Sequence, residues 1–330
     1  MKKPVLYLFF LFAFGLQATA QKINSSDLKI LHKKEDSLKR IVKEVMIDSF
    51  SAGRMRSDSQ FIKTLVRGLQ VKNSFYYPFD SIKAIGKLYA PDSTFRIITW
   101  QLAFNDYYCR QRGAIQLRTP DGSLKLIPLR DYSEFAQDPL DSVRSKDTWI
   151  GAVYYNMIRT EFNGKNYYTL FGFDQNSVQS NKKWIEVLTF NDKNLPVFGG
   201  KFFSFEKDSI RRPTQYRYSI EYKKDASTTV NYDPDLNMIV VDHLVSESDE
   251  PELAYTFVPD GDYEGFKWIN GKWLHVDKVF TESVDMKGAD MYLGKPPVGD
   301  PLLDKSGNHD EKKLEDKSNK NKTKGKKEDD

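Results

Sequence analysis

Between about residues 81 and 280, short apolar and aromatic segments alternate with turn residues, and this pattern limits the possible folds more than any other feature of the sequence. Asn163-Gly164 and Asn270-Gly271 each lie between strand-like segments, and Asn-Gly is the strongest short signal for a two-residue hairpin turn. Thr119-Pro120-Asp121-Gly122 and Pro259-Asp260-Gly261 add turn signals, because proline fixes φ and glycine tolerates positive φ. The pattern predicts about 12 strands in a mainly β fold, an antiparallel meander or sandwich-like domain without βαβ units.

A helical periodicity precedes the strands. From about Ser25 to Gln70, apolar residues recur every three to four positions with Lys and Glu between them, which predicts two N-terminal helices. Ser26 is the expected cap of the first helix and Gly53 its expected end. Ser57 begins a Ser-x-x-Gln pattern that is typical of a capping box, and the second helix is expected to start there.

The first 20 residues have the form of a secretory signal peptide. A basic lead is followed by an uncharged apolar run, Val5 to Leu16, and by Ala18-Thr19-Ala20, so cleavage is expected after Ala20. The apolar run is shorter than the roughly 20 residues that a membrane span needs, and a retained anchor is the alternative. We therefore expect a periplasmic or secreted protein with no transmembrane span in the mature chain.

The sequence divides into four predicted segments. They are the signal peptide over residues 1–20, a helical segment over 21–75, an antiparallel β domain over 76–285 and a charged tail over 286–330. From Asp304 to Asp330 the tail is almost all Lys, Asp, Glu, Asn, Ser and Gly. It has too little apolar surface to offset the entropy of ordering, so we expect it to be disordered.

The single cysteine and the charge balance exclude several classes of protein. Cys109 is the only cysteine, so an internal disulfide and a cysteine-based zinc site are excluded. The formal net charge is +4, and no basic cluster marks a nucleic-acid surface, so no nucleic-acid partner is expected. Arg110 and Arg112 could lower the thiol pKa of Cys109 and make it a catalytic nucleophile. An intermolecular disulfide and a buried, inert thiol are the alternatives.

Two histidines on predicted strands are the other candidates for catalysis. Strand alternation places His243 on the same face as Ile239 and Val241, which indicates the core. His275 shares a face with Asp277, and a carboxylate two residues away could orient its imidazole. A core position with a satisfied ring is the alternative for both histidines.

Asp233, Asp235 and Asn237 resemble the start of a calcium loop. Oxygen ligands at alternate positions suit calcium, although Met238 occupies the position where such loops have glycine. A hairpin turn is the alternative, and no cofactor is expected apart from this calcium hypothesis.

Adjacent tyrosines indicate a carbohydrate-binding surface. Tyrosines occur in pairs at residues 107–108, 154–155 and 167–168, and adjacent side chains of a strand point to opposite faces. One member of each pair could therefore stack on a sugar, and the candidates are Tyr108, Tyr155 and Tyr168, together with Trp273. Ordinary packing of tyrosine in a half-buried sheet is the alternative.

Two stretches resemble uncharacterised exported proteins of Gram-negative Bacteroidota. They are Ala18-Thr19-Ala20-Gln21 and the segment from Tyr89 to Trp100, YAPDSTFRIITW. The resemblance implies a cell-envelope or secreted location. It implies no activity and no site residues.

The sequence therefore favours an exported, non-catalytic binding module whose ligand is a glycan or an envelope protein. GxSxG, P-loop, HExxH and GxGxxG motifs are absent from the sequence. The alternative is a hydrolase that acts on envelope or extracellular polymers, with Asp233, Asp235, His243 and His275 as its site.

Overall fold

The computed structural model describes residues 23–105, 107–210 and 212–280. The predicted signal peptide, residues 1–20, and the predicted charged tail, residues 286–330, lie outside the described residues. Two helices come first, α1 (Ser25–Ile47) and α2 (Ser51–Leu69), as the periodicity predicts. No helix in the described part of the chain combines the length and apolarity needed to cross a membrane.

The helix ends differ from the predicted ones. The cap of α1 is Asn24, whose side-chain oxygen accepts the Asp27 amide at 2.7 Å, and Ser26 lies inside the helix. The prediction that Gly53 ends the first helix is wrong, because α1 stops at Ile47 and Gly53 belongs to α2. A Cβ at Gly53 would lie 1.9 Å from the Asp48 carboxylate, so glycine allows Asp48 to approach the start of α2. The predicted start at Ser57 is also wrong, because α2 is already helical from Ser51.

Fifteen strands follow in the described residues, and most of the predicted segments are among them. Their bounds are β1 (Gly86–Tyr89), β2 (Phe95–Ala103), β3 (Cys109–Leu117), β4 (Lys125–Arg130), β5 (Arg144–Ser145), β6 (Val153–Phe162), β7 (Lys165–Asp174), β8 (Ser180–Phe190), β9 (Pro196–Phe198), β10 (Phe203–Ser204), β11 (Arg217–Lys223), β12 (Val230–Asp233), β13 (Met238–Ser246), β14 (Phe257–Ile269) and β15 (Lys272–Val276).

The strands form three sheets, so the prediction of a mainly β, antiparallel fold preceded by two helices is confirmed. Sheet 1 has the order β1-β2-β3-β4. Sheet 2 has the order β5-β9-β8-β7-β6, and β11 pairs with β8 beyond the short β9. Sheet 3 has the order β10-β15-β14-β13-β12, in which β10 runs parallel to β15.

One predicted turn is a strand. Pro259-Asp260-Gly261 lies inside β14, where Pro259 pairs with Leu244 of β13. The register between β13 and β14 shifts between Asp242 and Leu244, and Gly261 adopts a φ of 95°. The Pro-Asp-Gly sequence therefore produces an irregularity within a long hairpin, which strands tolerate at bulges.

The helices and sheets stack in four layers with three apolar cores between them. Adjacent residues of one strand belong to different cores. In β2, Ile98 packs under the helices, while its neighbour Ile97 packs between sheets 1 and 2. Strand β7 of sheet 2 is likewise buried on both faces, with Leu170 facing sheet 1 and Phe171 facing sheet 3. The apolar character of β2 on both faces, which predicts a central strand, follows from this double burial.

Buried arginines tie irregular segments to the layers. Arg96 donates to the carbonyls of Tyr77 and Ser74, at 2.6 and 3.0 Å, and is surrounded by aromatic rings. Arg217 pairs with Glu186 at 3.2 Å in the interior of sheet 2, where both side chains are almost fully enclosed. Burial raises the pKa of Glu186 against the opposing effect of Arg217, so removal of the arginine would leave an unpaired buried carboxylate.

Candidate functional site

A cleft of about 730 Å³ opens at one end of the packed pair of sheets 1 and 2. Strands β2, β4 and β7 begin there, and β3 and β8 end there, so five strand ends meet at one edge. We call it the end cleft, and it is lined by residues 94–95, 117–120, 125, 165–168, 189–190, 192, 194 and 202. Its volume lies within the range of about 300–1,000 Å³ that is typical of small-molecule and cofactor sites.

Aromatic rings form much of the lining of the end cleft. Phe95, Tyr168 and Phe190 contact one another, with ring centroids 4.8 Å apart for Phe95–Tyr168 and 5.1 Å for Phe95–Phe190. Tyr167 and Phe202 form a second pair with centroids 5.5 Å apart, and this pair lines the end cleft from the other face of β7, where it packs against the core between sheets 2 and 3. Phe95 and Tyr168 are buried, whereas Tyr167, Phe190 and Phe202 are half-buried and have surface left for a ligand.

Tyr168 is held in place by its hydroxyl. The hydroxyl donates to Asp92 Oδ2 at 2.7 Å, and Asp92 also accepts the Thr94 hydroxyl at 2.8 Å. Burial alone would raise the pKa of Asp92, but the bonds from Tyr168 and Thr94 lower it below its usual value of 3.8. The ring of Tyr168 is therefore a fixed wall of the end cleft.

Cations surround the aromatic lining. Arg118, Lys125 and Lys165 are exposed lining residues, and none of them has a hydrogen bond or an ion pair from its side chain within the described part of the chain. Asp192 is the one carboxylate in the lining of the end cleft as described. The end cleft therefore combines apolar ring surface with an excess of positive charge.

The tyrosines selected from the sequence do not form one platform. Tyr168 lines the end cleft, but its neighbour Tyr167 is the one with more exposed surface. Tyr108 donates to Glu134 at 3.1 Å, and Tyr155 donates to the Val230 carbonyl at 2.6 Å, so both are engaged elsewhere.

Trp273 belongs to the core and not to a surface. Its side chain is fully buried (0 % exposed) between sheets 2 and 3, and its indole N–H donates to Thr169 at 3.0 Å. A ligand has no access to it. The face of β15 on which Trp273 lies is covered by sheet 2.

The two histidines are not brought together. The prediction that His243 faces the core is wrong, because the register shift between Asp242 and Leu244 turns His243 to solvent, where it contacts Asp260 at 2.8 Å. His275 lies on β15, and β14 separates it from β13. The register places His275 opposite Phe266 of β14, and Phe266 opposite Ile239 of β13, four residues before His243. Two strand spacings of about 9.5 Å and an offset of about 13 Å along the strand, with one ring buried and the other exposed, prevent one metal ion from bridging both rings.

His275 is an enclosed residue with two carboxylate partners. Its Nδ1 lies 2.8 Å from Asp208 and its Nε2 lies 3.1 Å from Glu264, while the predicted partner Asp277 is exposed. Burial alone would lower the pKa of His275, but the bonds to Glu264 and Asp208 raise it above 6.5. The histidine is 2 % exposed, and the arrangement suits an internal ion-paired cluster.

Cys109 has surroundings that oppose nucleophilic reactivity. Its Sγ lies 3.7 Å from Gln175 Oε1. Burial, followed by the negative charge of Asp174, raises the thiol pKa above its usual value of 9.0. The neighbouring arginines act elsewhere, because Arg110 lies over the Phe104 ring and Arg112 pairs with Asp58. An elevated pKa lowers the thiolate fraction at neutral pH.

The predicted calcium ligands form a hairpin turn. Asp233 Oδ1 accepts the amides of Asp235 and Leu236, at 2.8 and 3.0 Å, and Asn237 adopts a positive φ of 51°. Tyr232 donates to the Asn237 side chain at 2.5 Å. No group of three or more His, Cys, Asp or Glu side chains in the described ranges has the geometry to hold a metal ion.

Most of the end cleft is not predictable from the sequence. Arg118 and Lys125 flank the predicted 119–122 hairpin, and Lys165 follows the predicted Asn163-Gly164 turn, so their location at strand ends is readable from the sequence. That two hairpins from different sheets share one end of the stack depends on how the sheets pack. No local pattern encodes that packing.

Comparison of the chain with protein-family models finds no match, and neither do comparisons with curated proteins or with solved structures.

Proposed function

We propose that this protein is an exported, non-catalytic binding module and that its ligand is a glycan bound in the end cleft. The observation that carries the proposal is the set of half-buried rings that line a concave site of about 730 Å³, with Phe190 on the face of sheet 2 toward sheet 1 and Tyr167 with Phe202 on the opposite face. Sugar rings have an apolar face of C–H groups that packs on aromatic rings, while their hydroxyls bind polar groups at the rim. Asn166, Thr189 and Asn194 supply such groups.

The exported location rests on the first 20 residues, whose basic lead, apolar run and small-x-small end are typical of a signal peptide. Expression of a tagged full-length chain, followed by fractionation of the cells into cytoplasm, membranes, periplasm and medium, tests the exported location. Recovery of the protein in the periplasm or the medium, shortened after Ala20, is the expected result. Retention of the full-length chain in the cytoplasm would contradict it.

The hydrolase alternative has weaker support. In the described residues, His275 is enclosed, His243 lies two strands away, and Asp233 is used by its own turn. A catalytic site needs polar groups that converge in a cleft open to substrate. The end cleft offers cations, amides and hydroxyls with Asp192 as its carboxylate, which suits binding better than acid–base chemistry.

A screen of the full chain against an array of glycans, followed by affinity measurement, tests the proposal. Tyr167→Ala and Phe202→Ala are expected to weaken binding about tenfold or more, since aromatic anchors contribute the largest share of binding energy. Tyr107→Ala is the matched control, because Tyr107 is 78 % exposed outside the end cleft and its removal should leave the affinity unchanged.

Tyr167→Phe separates stacking from stability. This variant retains the ring and is expected to bind like the wild type, whatever Tyr167→Ala does to folding. Equal affinities of the Tyr167→Ala, Phe202→Ala and wild-type proteins, with all of them folded, would contradict the proposal. Release of reducing ends from the bound glycan would favour the hydrolase.

A further inference from the structure

We infer that the glycan in the end cleft is acidic, recognised through carboxylate or sulfate groups by Arg118, Lys125 and Lys165. This inference rests on the proposed function and specifies the ligand class of the same site.

Three cationic side chains lie at strand ends around the opening of the end cleft. Arg118 follows β3, Lys125 begins β4 and Lys165 begins β7, so cations from both sheets converge on one opening. They belong to two hairpins that are 40 or more residues apart in the chain, and only the stacking of sheets 1 and 2 brings them together.

Among the residues that the structure describes, the positive charges of these three side chains have no carboxylate partner of their own. Elsewhere in the described residues, some cations have carboxylate partners, for example Lys182 with Glu221 at 3.2 Å, whereas others, such as Lys39 and Lys63, lie on open helix surfaces without one. Arg118, Lys125 and Lys165 have no such partner in the described ranges, and Asp192 alone opposes them in the lining. Unpaired like charges around a concave apolar surface attract an anion and orient it.

The chain as a whole is close to neutral. The formal net charge of the chain is only +4 in 330 residues. The excess of positive charge at the end cleft therefore does not simply reflect a protein that is basic throughout. A nucleic acid is the competing polyanion, because bases also stack on aromatic rings. The compact cleft favours a saccharide, because a nucleic-acid strand is typically bound along an extended basic groove.

Two matched pairs of oligosaccharides test the inference with the full chain. One pair is hexagalacturonate and its fully methyl-esterified form, which differ in the carboxylate charge. The other pair is sulfated and unmodified cellohexaose, so the two pairs distinguish carboxylate from sulfate. At least one acidic member is expected to bind about tenfold or more tightly than its neutral partner, and added salt is expected to remove most of that difference.

Charge variants provide the second readout. The triple variant Arg118→Gln/Lys125→Gln/Lys165→Gln is expected to lose about tenfold or more of its affinity for the acidic member and little for the neutral one. Lys39→Gln/Arg56→Gln/Lys63→Gln is the matched control, because it removes the same charge from exposed positions on α1 and α2. This control should bind like the wild type.

The outcomes separate this inference from the proposed function. Binding of neutral members as tightly as acidic ones would overturn the inference and leave glycan binding intact. Binding of the chain to neutral glycans of the array alone would overturn the inference, and absence of binding to these four oligosaccharides and to every glycan of the array would overturn both. Equally tight binding of a single-stranded oligothymidylate would overturn the inference in favour of general polyanion binding.

Discussion

At the scale of single residues, the interior of this protein contains ionised side chains that are satisfied in small networks. His275 is the clearest example, because Asp208 and Glu264 contact its two ring nitrogens and Tyr218 donates to Glu264. Arg212 contacts Asp208 at 2.6 Å and lies 4.1 Å from the centre of the Phe205 ring. Breaking such a network leaves a charge without a partner in a low-dielectric environment, which is costly.

The network predicts that its own contribution to stability is largest in mildly acidic solution. Burial alone would raise the pKa of Glu264, but its bonds from His275 and Tyr218 lower it below 4.5, so its stabilisation is lost as pH falls through that lowered value. The pKa of His275 is raised above 6.5, so its stabilisation is complete below 6.5 and is lost as pH rises through the raised value. The contribution of the cluster is therefore largest between 4.5 and 6.5.

Denaturant unfolding of the wild type and of His275→Gln across pH measures this contribution. We expect the variant to be less stable by about 3 kcal/mol inside that window, with the difference shrinking above it. His243→Gln is the control, because His243 is exposed, and its effect should be small at every pH. A difference that stays constant or grows at alkaline pH would contradict the assignment.

At the scale of elements, the two Asn-Gly hairpin turns were the most predictable parts of the fold, whereas the Pro259-Asp260-Gly261 turn was predicted wrongly. Asn163-Gly164 and Asn270-Gly271 both adopt positive φ at both residues, as a type I′ turn requires. These turns are predictable because two adjacent residues alone determine their backbone conformation. The bulge near Asp242 was not predictable, because it depends on the pairing of β13 with β14. The start of α2 was not predicted although its signal is local, since Asp48 accepts the Phe50 amide at 2.8 Å and lies over Gly53, five residues away.

The two Asn-Gly turns provide a matched pair of variants. Gly164→Ala and Gly271→Ala each place alanine at a positive φ, which costs about 1–2 kcal/mol. A Cβ at Gly271 would also lie 2.5 Å from the Phe162 ring, whereas nothing lies within 4 Å of one at Gly164. We expect Gly271→Ala to reduce the free energy of unfolding by at least about 1 kcal/mol more than Gly164→Ala. Equal losses would contradict the close approach of the two turns.

At the scale of the whole molecule, polar contacts cross the boundary between layers. Asp58 of α2 is buried and accepts from Trp100 Nε1 at 2.8 Å and from Arg112 at 3.0 Å, which joins the helices to sheet 1. The strands and helices themselves were predictable from periodicity. The order of the layers and the end cleft they form were not, because they depend on which apolar faces meet.

Removal of the Asp58 contacts tests the attachment of the helical layer. Asp58→Ala is expected to lower the free energy of unfolding by about 2 kcal/mol, because it leaves the Trp100 N–H and the Arg112 guanidinium without this acceptor. Amide hydrogen exchange should accelerate in α2. Asp36→Ala, at an exposed position of α1, should change stability by less than about 0.5 kcal/mol. A similar effect of both variants would contradict the role of Asp58.

The location of bound ligand tests the central claim, that the end cleft is the binding site. Hydrogen–deuterium exchange of the full chain, with and without the tightest-binding glycan of the array, measures it peptide by peptide. We predict slower exchange in the segments around residues 117–125, 165–168 and 189–194, which line the end cleft. Protection confined to other segments, such as the Asp233 turn or the surroundings of Tyr155, would contradict the account.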